Sequence, residues 1–166
     1  FSWYHSVKSI IAKIQSAKNL NSLCRMTVEE VRKITGVDRV MIYKVDDEDN
    51  GAVVAEDKPE SYSPFLGLNY PSSDIPKQAR KLYLVNWLRL IPDINYQPVP
   101  LLPANNPVTN QPLDLSFSVL RSVSPIHIEY LQNMGVTASM SISLIKNQKL
   151  WGLIACHNYM PKYLNY

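Results

Sequence analysis

The chain has 166 residues, 46% of them apolar, with 17 basic against 14 acidic side chains and a net charge of +3. That length suits one domain with a real core, and the composition excludes disorder as the main state. No apolar run of about 18 residues spells a membrane span, the charge is too weak for a nucleic-acid footprint, and two cysteines cannot build a disulfide framework.

The elements read in chain order. Val7, Ile10, Ile11, Ile14 and Ala17 recur at the spacing of one helix face. Asn19 and Asn21 break that helix and cap the next, which carries Leu20, Leu23, Thr27, Val31 and Ile34 as its apolar stripe and stops at Gly36. A strand follows over 39–45, then an acidic turn over 46–51 and a second strand over 52–56, paired as an antiparallel hairpin. Seven of the 14 acids lie between Asp46 and Glu60, which leaves the rest of the chain basic. That distribution fits a domain with an anionic ligand, and equally an ordinary surface.

Ten of the 12 prolines fall between Pro59 and Pro112. A connection that long inside one domain is functional or carries its own elements. It contains a helical stretch, 77–90, that ends near Arg89. Ser124 and Pro125 start a helix that runs to Met134 and stops at Gly135. Ser139, Ser141 and Ser143 then alternate with Met140, Ile142 and Leu144, a period-two strand with one polar face. A turn at 146–149 leads into the last strand, 150–157. The expected architecture is α+β: a central antiparallel sheet with helices packed on one face and a ligand cleft on the other.

Several kinds of chemistry lack their residues. Cys156 and His157 are adjacent on a strand and point to opposite faces, so they form no nucleophile–base pair. Cys24 reads as a buried helical thiol. No two of His5, His127 and His157 have metal-ligand spacing, so no metal is expected. Other residues suggest binding. His127 and Tyr130 share a helix face. Arg89 and Arg121 suit bidentate pairing with two carboxylates, or are solvated surface residues. In 70–76, Pro71 and Pro76 stiffen a stretch that presents a carbonyl and the Asp74 carboxylate at a fixed place.

The strings PSSDIPKQARKLY (71–83), LRSVSPIHIEYLQNMGV (120–136) and LWGLIACH (150–157) closely resemble the chromophore-binding GAF domain of phytochromes, bacteriophytochromes in particular, and the likeness extends through 29–46 and 91–103. The resemblance implies a single GAF domain over 1–166, cut from a longer cytoplasmic photoreceptor with PAS and PHY neighbours. It implies a linear tetrapyrrole, biliverdin, in the cleft, whose D ring isomerises in red light. It also implies a homodimer through GAF helices and an output histidine kinase beyond this chain. The domain itself is then no enzyme and binds neither nucleic acid nor membrane.

Residue by residue, the resemblance implies that Asp74, followed by Ile75 and Pro76, offers its carbonyl to the pyrrole nitrogens and its side chain near the D ring. His127 stacks beside the central rings. Arg89 and Arg121 face the propionates, with the hydroxyls of Tyr83, Ser124, Ser139 and Ser141. Tyr43, Tyr70 and Tyr130 cage the D ring, and His157 holds its carbonyl. Ile126 stands where plant-type phytochromes carry the attachment cysteine, so the covalent anchor is expected outside this chain. The other reading is a non-photochemical GAF module that binds a small molecule or nucleotide and dimerises through the amphipathic first helix. A hydrolase is a third, with no nucleophile–base pair behind it.

Overall fold

The computed structural model describes residues 2–163. Its elements are α1 (Ser2–Gln15), α2 (Leu20–Thr35), β1 (Arg39–Val45), β2 (Gly51–Asp57), β3 (Asn69–Tyr70), α3 (Lys77–Val85), β4 (Leu88–Ile91), α4 (Pro125–Asn133), β5 (Ala138–Lys146) and β6 (Lys149–Asn158). The strands form one antiparallel sheet in the order β3-β2-β1-β6-β5-β4.

Local chemistry sets the boundaries of α2. Asn19 Oδ1 accepts from the Ser22 N–H at 2.8 Å while Ser22 Oγ accepts from the Asn19 N–H at 3.2 Å, a reciprocal cap. Gly36 ends the helix at φ 61°, a left-handed conformation that costs glycine little. The helix buries Cys24 and Val28 against Val40, Ile42, Ala55, Met140, Ile154 and Cys156 of the sheet. Directly opposed strand residues share a face. The alternate residues Arg39, Met41, Tyr43, Ser139, Ser141, Leu153, Ala155 and His157 therefore turn to the other side. There α4 is anchored by a second core of Ile91, Ile94, Leu131 and Val136.

The α+β architecture stands as expected, with four differences in detail. First, the sheet has six strands, not four, because β3 and β4 add short edges. Second, the helical stretch read over 77–90 ends at Val85; the Asn86 N–H and its side-chain amide both donate to the Leu82 carbonyl, and Leu88–Ile91 then pairs with β5, so Arg89 sits on a strand. Third, Leu20 and Ile34 are 50% and 58% exposed. The buried face of α2 is centred on Cys24 and Val28, about one position round from the stripe read in the sequence. Fourth, Ser124 precedes α4 without a side-chain cap.

Gly152 lies where β6 runs close against the backbone of β1. A Cβ there would lie 2.4 Å from the Tyr43 carbonyl oxygen and 3.2 Å from Lys44 Cα, both backbone atoms that cannot swing away. The replacement Gly152→Ala is expected to part β6 from β1 and cost about 1–3 kcal/mol, read as a lower urea midpoint with an unchanged slope.

Candidate functional site

On the face of the sheet opposite α2 lies a cavity of about 800 Å³, within the range of roughly 300–1,000 Å³ typical of small-molecule sites. Its floor is the sheet, through Tyr43, Ser139, Ser141, Ala155 and His157; its walls are α3, α4 and the 70–76 and 121–124 segments. All fifteen residues singled out in the sequence line it: Tyr43, Tyr70, Asp74, Ile75, Pro76, Tyr83, Arg89, Arg121, Ser124, Ile126, His127, Tyr130, Ser139, Ser141 and His157.

One wall is cationic. Arg89 faces the cavity from β4, opposite Ser141, and donates to the Val119 and Arg121 carbonyls at 2.9 and 2.8 Å. Arg121 donates to the Ser118 carbonyl at 2.9 Å and reaches Asn86 Oδ1 at 3.5 Å. Main-chain oxygens thus hold both guanidinium groups, and among the described residues neither has a carboxylate in ion-pair range. Burial, and then the neighbouring Arg121 charge, push the pKa of Arg89 down. Two adjacent, partly buried cations without an acid repel one another and attract an anion.

The other end is aromatic. Tyr43 and Tyr70 meet at 5.8 Å between ring centres, and His127 and Tyr130 lie nearly parallel at 6.2 Å on α4. Burial raises the phenol pKa of Tyr43 and of Tyr130 to about 12, with the Asp74 carboxylate adding to both, so these hydroxyls stay protonated. Gly51 makes room for the Tyr43 ring, which passes 1.7 Å from where a Cβ would stand. Burial lowers the pKa of His127, helped by Arg89. Burial, then the Arg39 cation and His127, brings His157 down to about 4. Both imidazoles are therefore neutral at pH 7.

The 71–76 segment is pinned from outside the cavity. Arg80, on α3, donates to the Ser72 carbonyl at 3.1 Å, to the Ile75 carbonyl, and to Asp49 Oδ2 at 3.0 Å. Asn50 Oδ1 accepts from the Ser72 N–H at 3.2 Å. The turn closes with the Asp74 N–H donating to the Pro71 carbonyl at 3.0 Å. The acidic 46–51 turn thus anchors the segment that carries Asp74. Sequence reasoning missed Arg80, Asn50 and Asn86 in these roles. It also missed Met41, Leu153 and Ala155 as lining, although Met41 and Ala155 each lie two positions along a strand from a residue already singled out, and Leu153 lies four from His157. Among the described residues no group of three or more His, Cys, Asp or Glu side chains is placed to hold a metal ion, and no helix is long and apolar enough to cross a membrane.

Comparison with known proteins gives the family of the chain. A family model for the GAF domain matches residues 19–165. The chain belongs to the GAF-domain family. It is 64% identical over its full length to cyanobacterial phytochrome B of Nostoc sp., of which it covers 22%. It is 52% identical, over 97% of its length, to a bacteriophytochrome of Pseudomonas aeruginosa, of which it again covers 22%. Among solved structures, the chromophore-binding domain of the Stigmatella aurantiaca bacteriophytochrome superposes with a TM-score of 0.91 at 54% identity, covering 100% of this chain and 54% of that one. A bacteriophytochrome of R. palustris superposes with a TM-score of 0.96 at 47% identity, covering 99% of this chain and 33% of that one. The chain thus spans about a fifth of the two relatives' length.

The His157 shift carries a stability prediction. Its folded pKa of about 4 lies below the usual 6.5, so the unfolded chain binds the extra proton first. Stability is therefore full above pH 6.5 and falls as pH drops towards 4, by roughly 3 kcal/mol at that limit. Urea midpoints measured across that window are expected to fall in the unaltered chain and to fall less in His157→Gln.

Proposed function

We propose that this domain holds a linear tetrapyrrole, biliverdin, and senses red and far-red light through it. The observation that carries the reading is the pair Arg89 and Arg121, two cavity-wall cations with no carboxylate in ion-pair range among the described residues. A tetrapyrrole with two propionates supplies two anions at one edge of an apolar plane. The cavity volume, its aromatic end and its neutral imidazoles suit the rest of such a molecule. Similarity to phytochromes along the whole chain supports the same reading.

When bound, the pigment supplies visible absorption and a double bond that turns beside its D ring. The chain's residues bind and steer. Arg89 and Arg121 hold the propionates by charge-assisted hydrogen bonds, and Tyr83, Ser124, Ser139 and Ser141 complete them. The 71–76 segment keeps the Asp74 carbonyl turned to the pyrrole N–H groups, with Ile75 and Pro76 against the ring plane. His127 lies along the central rings. Tyr43, Tyr70 and Tyr130 bound the space of the turning ring, and His157 meets its carbonyl. Ile126 offers no thiol, so the covalent anchor belongs to a segment outside this chain.

In the longer protein this domain works beside PAS and PHY domains in the cytoplasm and signals to a histidine kinase. Ile11, Leu20 and Ile34, all at least 50% exposed on α1 and α2, suit pairing with a second copy.

After unbound pigment is removed by gel filtration, the chain mixed with biliverdin is expected to keep a visible band that red light changes. A preparation that stays colourless overturns the proposal. The double replacement Arg89→Ala with Arg121→Ala is expected to weaken uptake by tenfold or more, since each charge-assisted bond is worth about 1.5–3 kcal/mol. The same pair of changes should matter far less for the pigment's dimethyl ester. Asp74→Ala should keep uptake and lose most of the light-driven change. Zinc-stained denaturing gels should show no pigment left on the chain.

A further inference from the structure

Arg39, His157 and Ser139 form one row across β1, β6 and β5, with Arg39 opposite His157 and His157 opposite Ser139. His157 and Ser139 line the cavity, whereas Arg39 lies beyond its wall. Arg39 is 2% exposed and His157 6%. Opposed residues of antiparallel strands bring their Cβ atoms within about 4.5–5.5 Å, and the Arg39 charge is close enough to His157 to help lower its pKa.

The Arg39 side chain is fixed on three sides. Nη1 pairs with the Glu56 carboxylate, and Nη2 donates to the Ser63 carbonyl at 2.9 Å. The guanidinium lies 3.9 Å from the centre of the Phe65 ring and 5.9 Å from that of Tyr62. Glu56 in turn accepts the Phe65 and Leu66 N–H groups at 3.0 and 3.1 Å. Among the described residues, two buried side-chain nitrogens have no hydrogen-bond partner, and they belong to this one opposed pair: Arg39 Nε and His157 Nδ1. An arginine Nε always carries a hydrogen, while an imidazole nitrogen accepts when unprotonated. A donor facing an acceptor satisfies both, whereas two N–H groups facing each other would leave both buried donors unsatisfied.

We infer that Arg39 is a positioning residue that sets the tautomer of His157: Arg39 Nε–H donates to one buried water that in turn donates to His157 Nδ1, so the single ring proton sits on Nε2. The far nitrogen of the ring then enters the cavity as a donor, matched to a carbonyl oxygen and mismatched to an N–H. Because His157 is neutral at pH 7, it has one proton to place. The inference deepens the tetrapyrrole reading by naming what fixes the donor for the terminal carbonyl, and it rests on that reading for the ligand.

The test needs no pigment, so the two readings fail separately. In the chain labelled with ¹⁵N-histidine and ¹⁵N-arginine, two-bond ¹H–¹⁵N spectra at pH 7, assigned with His157→Gln, should show Nδ1 unprotonated and Nε2 protonated as a single form. The Arg39 Hε should give a cross-peak to one bound water that also contacts the His157 ring. A protonated Nδ1, or no such cross-peak, overturns the inference in the unaltered chain. Arg39→Lys keeps the charge near Glu56 and removes Nε–H, so the single-tautomer signature should be lost. A folded Arg39→Lys with an unchanged His157 spectrum also overturns it.

Discussion

The register of β1, β6 and β5 is the constraint on which the rest depends. Side chains alternate across a strand, so a slip of one residue would exchange the two faces of the sheet. Val40, Cys156 and Met140 would leave the core under α2, and Arg39, His157 and Ser139 would enter it. That exchange would bury charge without partners and expose apolar surface, both strongly unfavourable. The glycine at 152 then fixes how closely β6 approaches β1, at the backbone of Tyr43 itself. Core formation and cavity formation are consequently one event: the residues that pack on α2 decide by their position which residues face the ligand.

The cavity's electrostatics follow a division of labour between its two ends. At the Arg89–Arg121 end, main-chain carbonyls orient the cations without neutralising them, so the charge remains available. At the His157 end, Arg39 is neutralised by Glu56 in a fully buried ion pair and lodged against Phe65. A buried pair of this kind adds little net stability over an apolar alternative. What it adds is placement: Glu56 also holds the Phe65 and Leu66 N–H groups, which fixes the path of the chain into β3 and hence to Tyr70. The same logic operates at Arg80, which spends its donors on the carbonyls of Ser72 and Ile75 and leaves the Asp74 side chain to the cavity.

Much of this was legible in the sequence, and unevenly so. Strand β5 was readable from its serine alternation, and β1 and β6 from their richness in apolar, β-branched and aromatic residues. Strands β3 and β4, of two and four residues, are too short to show either signal, and LRLI after a helix reads as more helix. Helix α2 carries two overlapping apolar stripes, and only the position of the sheet decides between them. The cavity lining was legible because long motifs resembled a known family. Arg39, Arg80 and Asn86 stayed invisible because their partners lie far along the chain: Glu56 is 17 residues away, Asp49 is 31, and Arg121 is 35. No local pattern announces a contact of that range.

The cavity's polar atoms require an explanation of their own. A buried polar group without a partner costs about 1–3 kcal/mol, and repulsion between Arg89 and Arg121 adds to that cost in the ligand-free chain. A fold selected only for stability would replace such groups. Here the two cavity arginines are instead locked in position by the main-chain carbonyls of Val119, Arg121 and Ser118. Groups held in place and left incompletely satisfied favour whatever completes them. Binding that contributes the missing anions and acceptors stabilises the fold by about 2.7 kcal/mol at a free ligand concentration one hundredfold above Kd. Stability and occupancy are thus linked in this domain.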